Sequence, residues 1–584
     1  MALLAGKAEV RQPIAREFVS CGISTASVGG RYSLAEIARS QELDNFGAVR
    51  ARLAWGAAII VAGTALFAAY LSQARTYGTD SDGAANALQA WDMLHGNVLL
   101  HGWWLSDVSF YTTELPEYIL VEKVTGLQPD VVHLCSALTY TLLVLSVALL
   151  GRGQVRGREG VVRALLAGGI MVAPSLGNGT YAVLNAPDHT GTGVPVIVML
   201  LLLDRLDRST LRRWLSPLLL VLLVWVQVAD SIAVLAVAIP IALVGAIRTG
   251  THLVRRRSGA GSDEPGWHDP LLCVAALASV PLTAMTLVLL RGSGGFYLHP
   301  YPGRLLTGSA AWPGQARVLG QCLLTLFGAD PAGHPLGLDY GLALLHMAGV
   351  AVAALGLLAG IRGFFGRIDR VSQILVVSVL VMLAAAQFST AMTTILSVRE
   401  IVIVLPVSAA LAGRVVGSGL VRIRMSAVLG VVLAGYLAAL GYAAAQPAVP
   451  AENQALADWL RAHDLRYGLA GYWQANSVTL DSSGEVRIAP IFGISPYEWE
   501  SRPSWYVPRL SDPNFVVTVS YPQGEEMFAK PAVVRRVFGR SARVYRFQRY
   551  TILVWNKNLL NDLGPPPLLP PAMTIAAPPA RPAR

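Results

Sequence analysis

The chain has 584 residues, of which 54% are hydrophobic and only 14% charged, far more apolar surface than one soluble core can bury. A bilayer is the natural solvent for it. The net charge of +10 does not indicate nucleic acid, because Lys and Arg come in short clusters between apolar runs rather than along one face. Cys21, Cys135, Cys273 and Cys322 are scattered singly, with no CxxC pair and no metal-ligand spacing, and read as small apolar residues.

Residues 1–50 are polar and mixed in charge, which predicts a cytoplasmic amino-terminal tail without a cleavable signal peptide. Residues 51–444 form a transmembrane domain in this reading. Apolar runs approach the length needed to cross hydrocarbon at 53–72, 131–150, 161–176, 192–203, 214–229, 232–247, 270–290, 339–361, 371–387, 401–413 and 425–444, predicting about 11 helices. The connectors 151–163, 204–213, 248–257, 361–370 and 414–424 hold 18 Lys or Arg against four acids, Glu159, Asp204, Asp207 and Asp369. They read as cytoplasmic. Segment 73–130 instead carries eight carboxylates against Arg75 and Lys123, and reads as an outer loop. Residues 83–95 and 112–125 in that loop have the pattern of amphipathic helices lying at the interface. A second outer loop, 291–338, contains an apolar run from Val318 to Phe327 that is too short to span alone.

Eleven crossings place residues 445–563 outside as well. There 452–464 reads as a helix, and strand-like runs fall near 467–473, 485–490, 514–520 and 544–555, which together predict a small α/β domain. The tail 564–584 is Pro-rich and expected to be disordered. The expected fold class is therefore mainly α: a multi-pass protein of the plasma membrane with a carboxy-terminal extracytoplasmic α/β domain.

The residues able to carry chemistry collect at the outer ends and loops. Asp80 and Asp82 flank Ser81 just beyond the first crossing, where a carboxylate meets both water and a lipid-embedded substrate. The competing reading is a helix cap. Two carboxylates at this spacing also supply part of a divalent-cation site, which needs three more oxygen ligands that the sequence does not identify. Asp188 and His189 follow Asn185 in a short outer loop and offer contacts to an acceptor or a phosphate, although a Pro turn capped by Asp188 fits equally well. Asp230 sits at a tight outer hairpin, where an ionisable residue at membrane depth suggests function and a helix cap is the alternative. His299 and Arg304 bring cationic and aromatic character to the second outer loop. Glu114 is a further candidate substrate contact, beside the reading in which Glu114 and Glu117 form the solvated side of an interfacial helix. Arg399, at the outer end of the tenth crossing, suits a lipid-phosphate anchor because guanidinium presents two parallel N–H groups. Snorkelling to the interface is its alternative.

An acidic motif after the first membrane helix, an outer loop with interfacial helices, ten or more crossings and an extracytoplasmic carboxy-terminal domain resemble the GT-C membrane glycosyltransferases, including their actinobacterial members. The resemblance covers most of residues 50–560. It implies transfer of a sugar from a polyprenyl-phosphate donor to a cell-envelope polysaccharide, glycolipid or protein acceptor, with Asp82 or Asp80 as general base, Asp82 being preferred. Arg399, followed by an apolar run and Pro406, is similar to an Arg near the last helices of several such enzymes, with Glu400 where they have an aromatic residue. The Asp-Ser-Asp motif departs from the Asp-Glu pair of the mannosyltransferases. One base is enough for this chemistry, since a lipid phosphate is already a good leaving group.

A transporter or flippase for a lipid-linked or small polar substrate is the rival from another class. It calls for polar or charged residues through mid-membrane, whereas the helix centres here are mostly Ala, Leu, Val and Gly. No Walker, dinucleotide or HExxH motif is present, so ATP-driven, nicotinamide-dependent and metalloprotease readings have no local support.

Overall fold

The computed structural model describes residues 56–207, 210–258, 267–300, 306–332, 335–422, 425–519 and 529–563. The chain separates into two compact units, 1–62 and 63–584. Of the first, only helical residues 56–62 are described; the helix bundle and the carboxy-terminal domain belong to the second. The expected amino-terminal and Pro-rich tails, together with Arg304, lie outside the described residues.

Ten helices among the described residues are long and apolar enough to cross a membrane, which makes this a multi-pass membrane protein. In chain order the helices begin with α1 (Gly56–Ala74), α2 (Ser81–Leu94), α3 (Leu115–Thr125), α4 (Asp130–Arg152), α5 (Gly157–Met171), α6 (Asn178–Leu184), α7 (Asp188–Leu206) and α8 (Leu215–Ala229). They continue with α9 (Ile239–Arg257), α10 (His268–Gly292), α11 (Trp312–Leu326), α12 (Leu338–Gly363), α13 (Arg370–Phe388), α14 (Val404–Arg422) and α15 (Ser426–Ala444). The expected run 161–176 falls on α5, whose 15 residues rise only about 22 Å and make it shorter than those ten.

The bundle centre is α14 packed on α4 and α5. Small residues permit that approach: a Cβ on Gly151 would lie 2.4 Å from the Ala167 Cβ, and one on Gly413 would lie 2.7 Å from the Arg163 carbonyl oxygen.

The two expected helices are present in extent as α2 and α3, but α3 buries Glu122 while exposing Leu120 and Val124, and α2 does not lie amphipathically on the surface. Its run of small residues, Gly83, Ala84, Ala85, Ala87 and Ala90, is buried. It wedges between α3, α4 and a helix of the carboxy-terminal domain. At Gly83 a Cβ would stand 2.7 Å from Val132 Cγ1, so only glycine lets α2 start this close to α4.

The carboxy-terminal domain begins with α16 (Gln454–Ala462) and builds a sheet from β3 (Tyr467–Ala470), β4 (Arg487–Phe492), β5 (Ser495–Pro496), β6 (Phe515–Val519), β7 (Arg543–Phe547) and β8 (Tyr550–Val554). Two earlier short strands, β1 (Trp104–Leu105) and β2 (Tyr297–Leu298), pair in parallel and tie segments 73–130 and 291–338 together. The order in the domain sheet is β5-β4-β3-β6-β8-β7, with β3 parallel to both β4 and β6. Parallel neighbours need a crossover, supplied between β3 and β4 by α17 (Tyr472–Asp481). Chain leaving the carboxyl end of a parallel strand is where α/β sheets place ligand-binding residues, and α17 opens at that end of β3.

Candidate functional site

Three segments far apart in sequence meet at one guanidinium. Arg399 lies on a short 3₁₀ turn, Ile395–Ile401, whose start is fixed by a reciprocal cap between Thr394 and Ser397. Its Nη1 is 2.7 Å from Asp188 Oδ2 and 3.7 Å from Asp82 Oδ2, and its Nη2 donates to Asp80 Oδ2 at 3.3 Å. The Tyr181 ring stacks against it, 4.2 Å from the guanidinium carbon. Asp80, Asp82, Asp188 and Arg399 are thus brought together as the topology expected.

The three carboxylates are not equivalent. Asp80 is the amino-terminal cap of α2, in line with its competing reading: Oδ1 accepts from Gly83 N at 3.0 Å, and Oδ2 accepts from Asn185 Nδ2 at 2.7 Å as well as from Arg399. Asp188 opens α7, pairs with Arg399 and accepts from Asn86 Nδ2 at 3.4 Å. Asp82 has 31% of its side chain exposed, against 16% for Asp80 and 9% for Asp188, so it is the carboxylate a second molecule can reach. Burial, reinforced by the charges of Asp80 and Asp188 and opposed by Arg399, pushes the Asp82 carboxyl up to about 7.

Two residues that sequence reasoning missed come from the carboxy-terminal domain. The Tyr472 hydroxyl contacts both Asp82 Oδ1 and Glu500 Oε2, while the Tyr472 carbonyl accepts from Ser81 Oγ at 2.6 Å. Glu500 is 3% exposed, and burial followed by the charge of Asp82 drives its carboxyl well above the usual carboxylate range. Its backbone has φ +47°, and Asp188 has φ +33°. Left-handed conformations of non-glycine residues cost on the order of 1–2 kcal/mol and persist only where surroundings impose them. Glu500 is so held, its carbonyl accepting from Asn476 Nδ2 at 3.1 Å and its neighbour Ser501 bridging antiparallel to Trp104.

Beneath the cluster lies a second layer. His189 Nδ1 is 2.7 Å from Asp230 Oδ2, which also accepts from Thr192 Oγ1 at 2.9 Å, and Asp230 Oδ1 accepts from Ile232 N at 2.9 Å. Burial opposes ionisation of Asp230, but His189 and these donors outweigh it and hold the carboxyl below its usual range. Asp230 leads into a π-helical turn, Val234–Ala238. Glu114 corrects its expected place: it is fully buried, neither a solvated side chain nor open to a substrate, and burial pushes its carboxyl well above the usual range. Its approach is permitted by Gly191, where a Cβ would stand 2.3 Å from Glu114 Oε1. His299 is also outside the cluster. It ends a row of rings, Tyr472, Tyr497, Trp499 and His299, whose centroids are successively 5.7, 6.4 and 5.5 Å apart.

Concerning the divalent cation, Oδ2 of each of the three aspartates is directed at Arg399, and among the described residues no group of three or more His, Cys, Asp or Glu is placed to hold a metal ion. A cavity of about 370 Å³ lined by Ser175, Asn178, Asp330, Asp339, His346 and Tyr442 shares no residue with the cluster.

No protein-family model matches the sequence, and no curated protein matches it. Among solved structures, the chain is similar to the Archaeoglobus fulgidus oligosaccharyltransferase tethered with an acceptor peptide, at 13% identity and TM-score 0.43 over 80% of this chain and 69% of that one. It is similar to the archaeal oligosaccharyltransferase AglB from the same organism in complex with an inhibitory peptide and a dolichol-phosphate, at 13% identity and TM-score 0.44 over 80% and 69%. It is also similar to ArnT from Cupriavidus metallidurans bound to undecaprenyl phosphate, at 13% identity and TM-score 0.40 over 86% and 98%.

Proposed function

We propose that this protein transfers a sugar from a polyprenyl-phosphate donor to a cell-envelope acceptor on the non-cytoplasmic side, with Asp82 as general base. The observation that carries the reading is the convergence of Asp80, Asp82 and Asp188 on Arg399, with Asp82 alone left substantially exposed. Basic connectors at the far end of the bundle and the acidic 73–130 segment at this end support the sidedness.

In the proposed step the acceptor hydroxyl gives its proton to Asp82 while its oxygen bonds to the anomeric carbon. The bond from that carbon to phosphate oxygen breaks, and its electron pair leaves with the polyprenyl phosphate. Positive charge develops on the sugar in such displacements, and surplus carboxylate charge stabilises it. Arg399, held by Asp80 and Asp188, supplies the cation for the departing phosphate. The row of rings from Tyr472 to His299 is a suitable wall for a sugar-bearing acceptor.

The test is turnover of purified protein in lipid nanodiscs, supplied with polyprenyl-phosphate sugars and envelope acceptors. Normal transfer by an Asp80→Asn, Asp82→Asn double variant overturns the proposed base. Substrate uptake by sealed proteoliposomes without glycosyl transfer overturns the enzyme reading in favour of transport.

A further inference from the structure

Hydroxyl chemistry leaves the contact between Asp82, Tyr472 and Glu500 only a few solutions. A tyrosine hydroxyl has one proton to donate, yet carboxylate oxygens of both Asp82 and Glu500 contact it. Two ionised carboxylates accept only, so one of the pair must carry a proton and donate it to the Tyr472 oxygen. The surroundings choose which. Arg399 lies 3.7 Å from Asp82, whereas among the described residues no cation is ion-paired with Glu500. Around Glu500 stand Tyr472 on α17, Asp80 and Asp82 at the start of α2, Asp188 at the start of α7, and Tyr497 on its own segment, which are acids and phenols throughout. Glu500 is enclosed, and Asp82 reaches solvent.

Resting on the general-base reading above, we propose that Glu500 is a positioning residue that keeps its proton and sets Asp82 as the base through Tyr472. Glu500 O–H donates to the Tyr472 oxygen, and Tyr472 O–H donates to Asp82 Oδ1. A donated hydroxyl stabilises the ionised form of Asp82 and fixes its rotamer, leaving Oδ2 for the acceptor proton. After transfer, that proton leaves to solvent from Asp82, and Glu500 ends the cycle as it began. The carboxy-terminal domain thereby becomes a working part of the site, because both Tyr472 and Glu500 belong to it.

Two independent readouts test this. Infrared difference spectra of wild type minus Glu500→Gln at neutral pH should show a protonated carboxyl band that remains in Asp82→Asn. A band that is lost in Asp82→Asn instead, or no band at all, overturns the proposal. This arm does not depend on turnover, so it stands apart from failure of the transferase reading. In the turnover arm, Glu500→Gln mimics the neutral acid and should cost less than about tenfold, with the acidic limb of the pH–rate profile in place and the alkaline limb lost. Tyr472→Phe removes the donor and should move the acidic limb up by about one pH unit. A uniform fall at every pH in both variants, with neither limb displaced, reveals a merely structural role and overturns the positioning role.

Discussion

Helix α7 carries an aspartate near each end, and the two meet opposite circumstances. Asp188 and Asp204 are separated by about 24 Å at 1.5 Å per residue. Asp204 accepts from Arg414 at 2.7 Å, and the same guanidinium takes Asp369 at 3.0 Å. Around it Arg370 pairs with Asp207 and Asp269, Arg248 with Asp269, and Arg212 with Asp207. Four arginines answer four aspartates there. At the Asp188 end three aspartates share Arg399, and buried Glu500 adds a fourth acid with which no cation is ion-paired among the described residues. A network that serves only to hold helices together can neutralise itself, since uncompensated buried charge costs more than the pairing returns. The Asp188 end retains a surplus of acid, as the proposed binding of a second molecule there requires.

That contrast is open to direct attack. The largest expected effect is on turnover: Asp82→Asn should lower it by about 10²–10⁴-fold while leaving the melting temperature unchanged or higher, because a carboxylate repelled by its neighbours has been removed. Arg414→Ala should do the reverse. It strands Asp204 and Asp369 and should cost about 3–5 kcal/mol of stability, read from denaturation in mild detergent, with turnover per folded molecule preserved. An exchange of these two signatures would erase the distinction between the ends. Gly191→Ala, which drives a methyl into Glu114, should cost about 1–3 kcal/mol by thermal denaturation and test whether the layer beneath the cluster is as tightly packed as its distances imply.

The pH dependence has a defined sign. As the proposed base, with its pKa raised to about 7, Asp82 accepts a proton only above that pH, so turnover should rise through about 7 and fall about tenfold per unit below it. Its contribution to stability runs the other way. The folded chain retains a proton that the unfolded chain has lost, so stability from this group falls as pH rises from the ordinary carboxylate range to about 7 and is level beyond. Asp82→Asn should remove both slopes.

The membrane character and the grouping of Asp80, Asp82, Asp188 and Arg399 were legible in the sequence because both follow from one-dimensional signals: apolar run length and the sign of connector charge. Tyr472 and Glu500 were not. Almost every residue of α17 is buried, so it shows no 3.6-residue alternation, and its polar Gln474, Asn476 and Ser477 resemble a loop. Glu500 sits in the aromatic segment Ser495–Trp505, where nothing local separates a buried acid from a surface one. The signal was long-range placement, which periodicity does not carry. The same limit explains α2, where a moderate amphipathic pattern suggested an interfacial helix and a row of small residues instead allowed burial on all sides. The strand expected over 544–555 is two strands, with Gln548 at φ +50° making the turn between them.

The contact between Asp82 and Tyr472 spans 390 residues of chain. At roughly 5–20 residues per second of synthesis, the hydroxyl follows its carboxylate out of the ribosome about 20–80 s later. Throughout that interval the helices are threading into the bilayer with the acidic cluster short of its last two members. A chain that stops before residue 472 therefore holds Asp82 beside Asp80, Asp188 and Arg399 but without the hydroxyl that contacts its Oδ1.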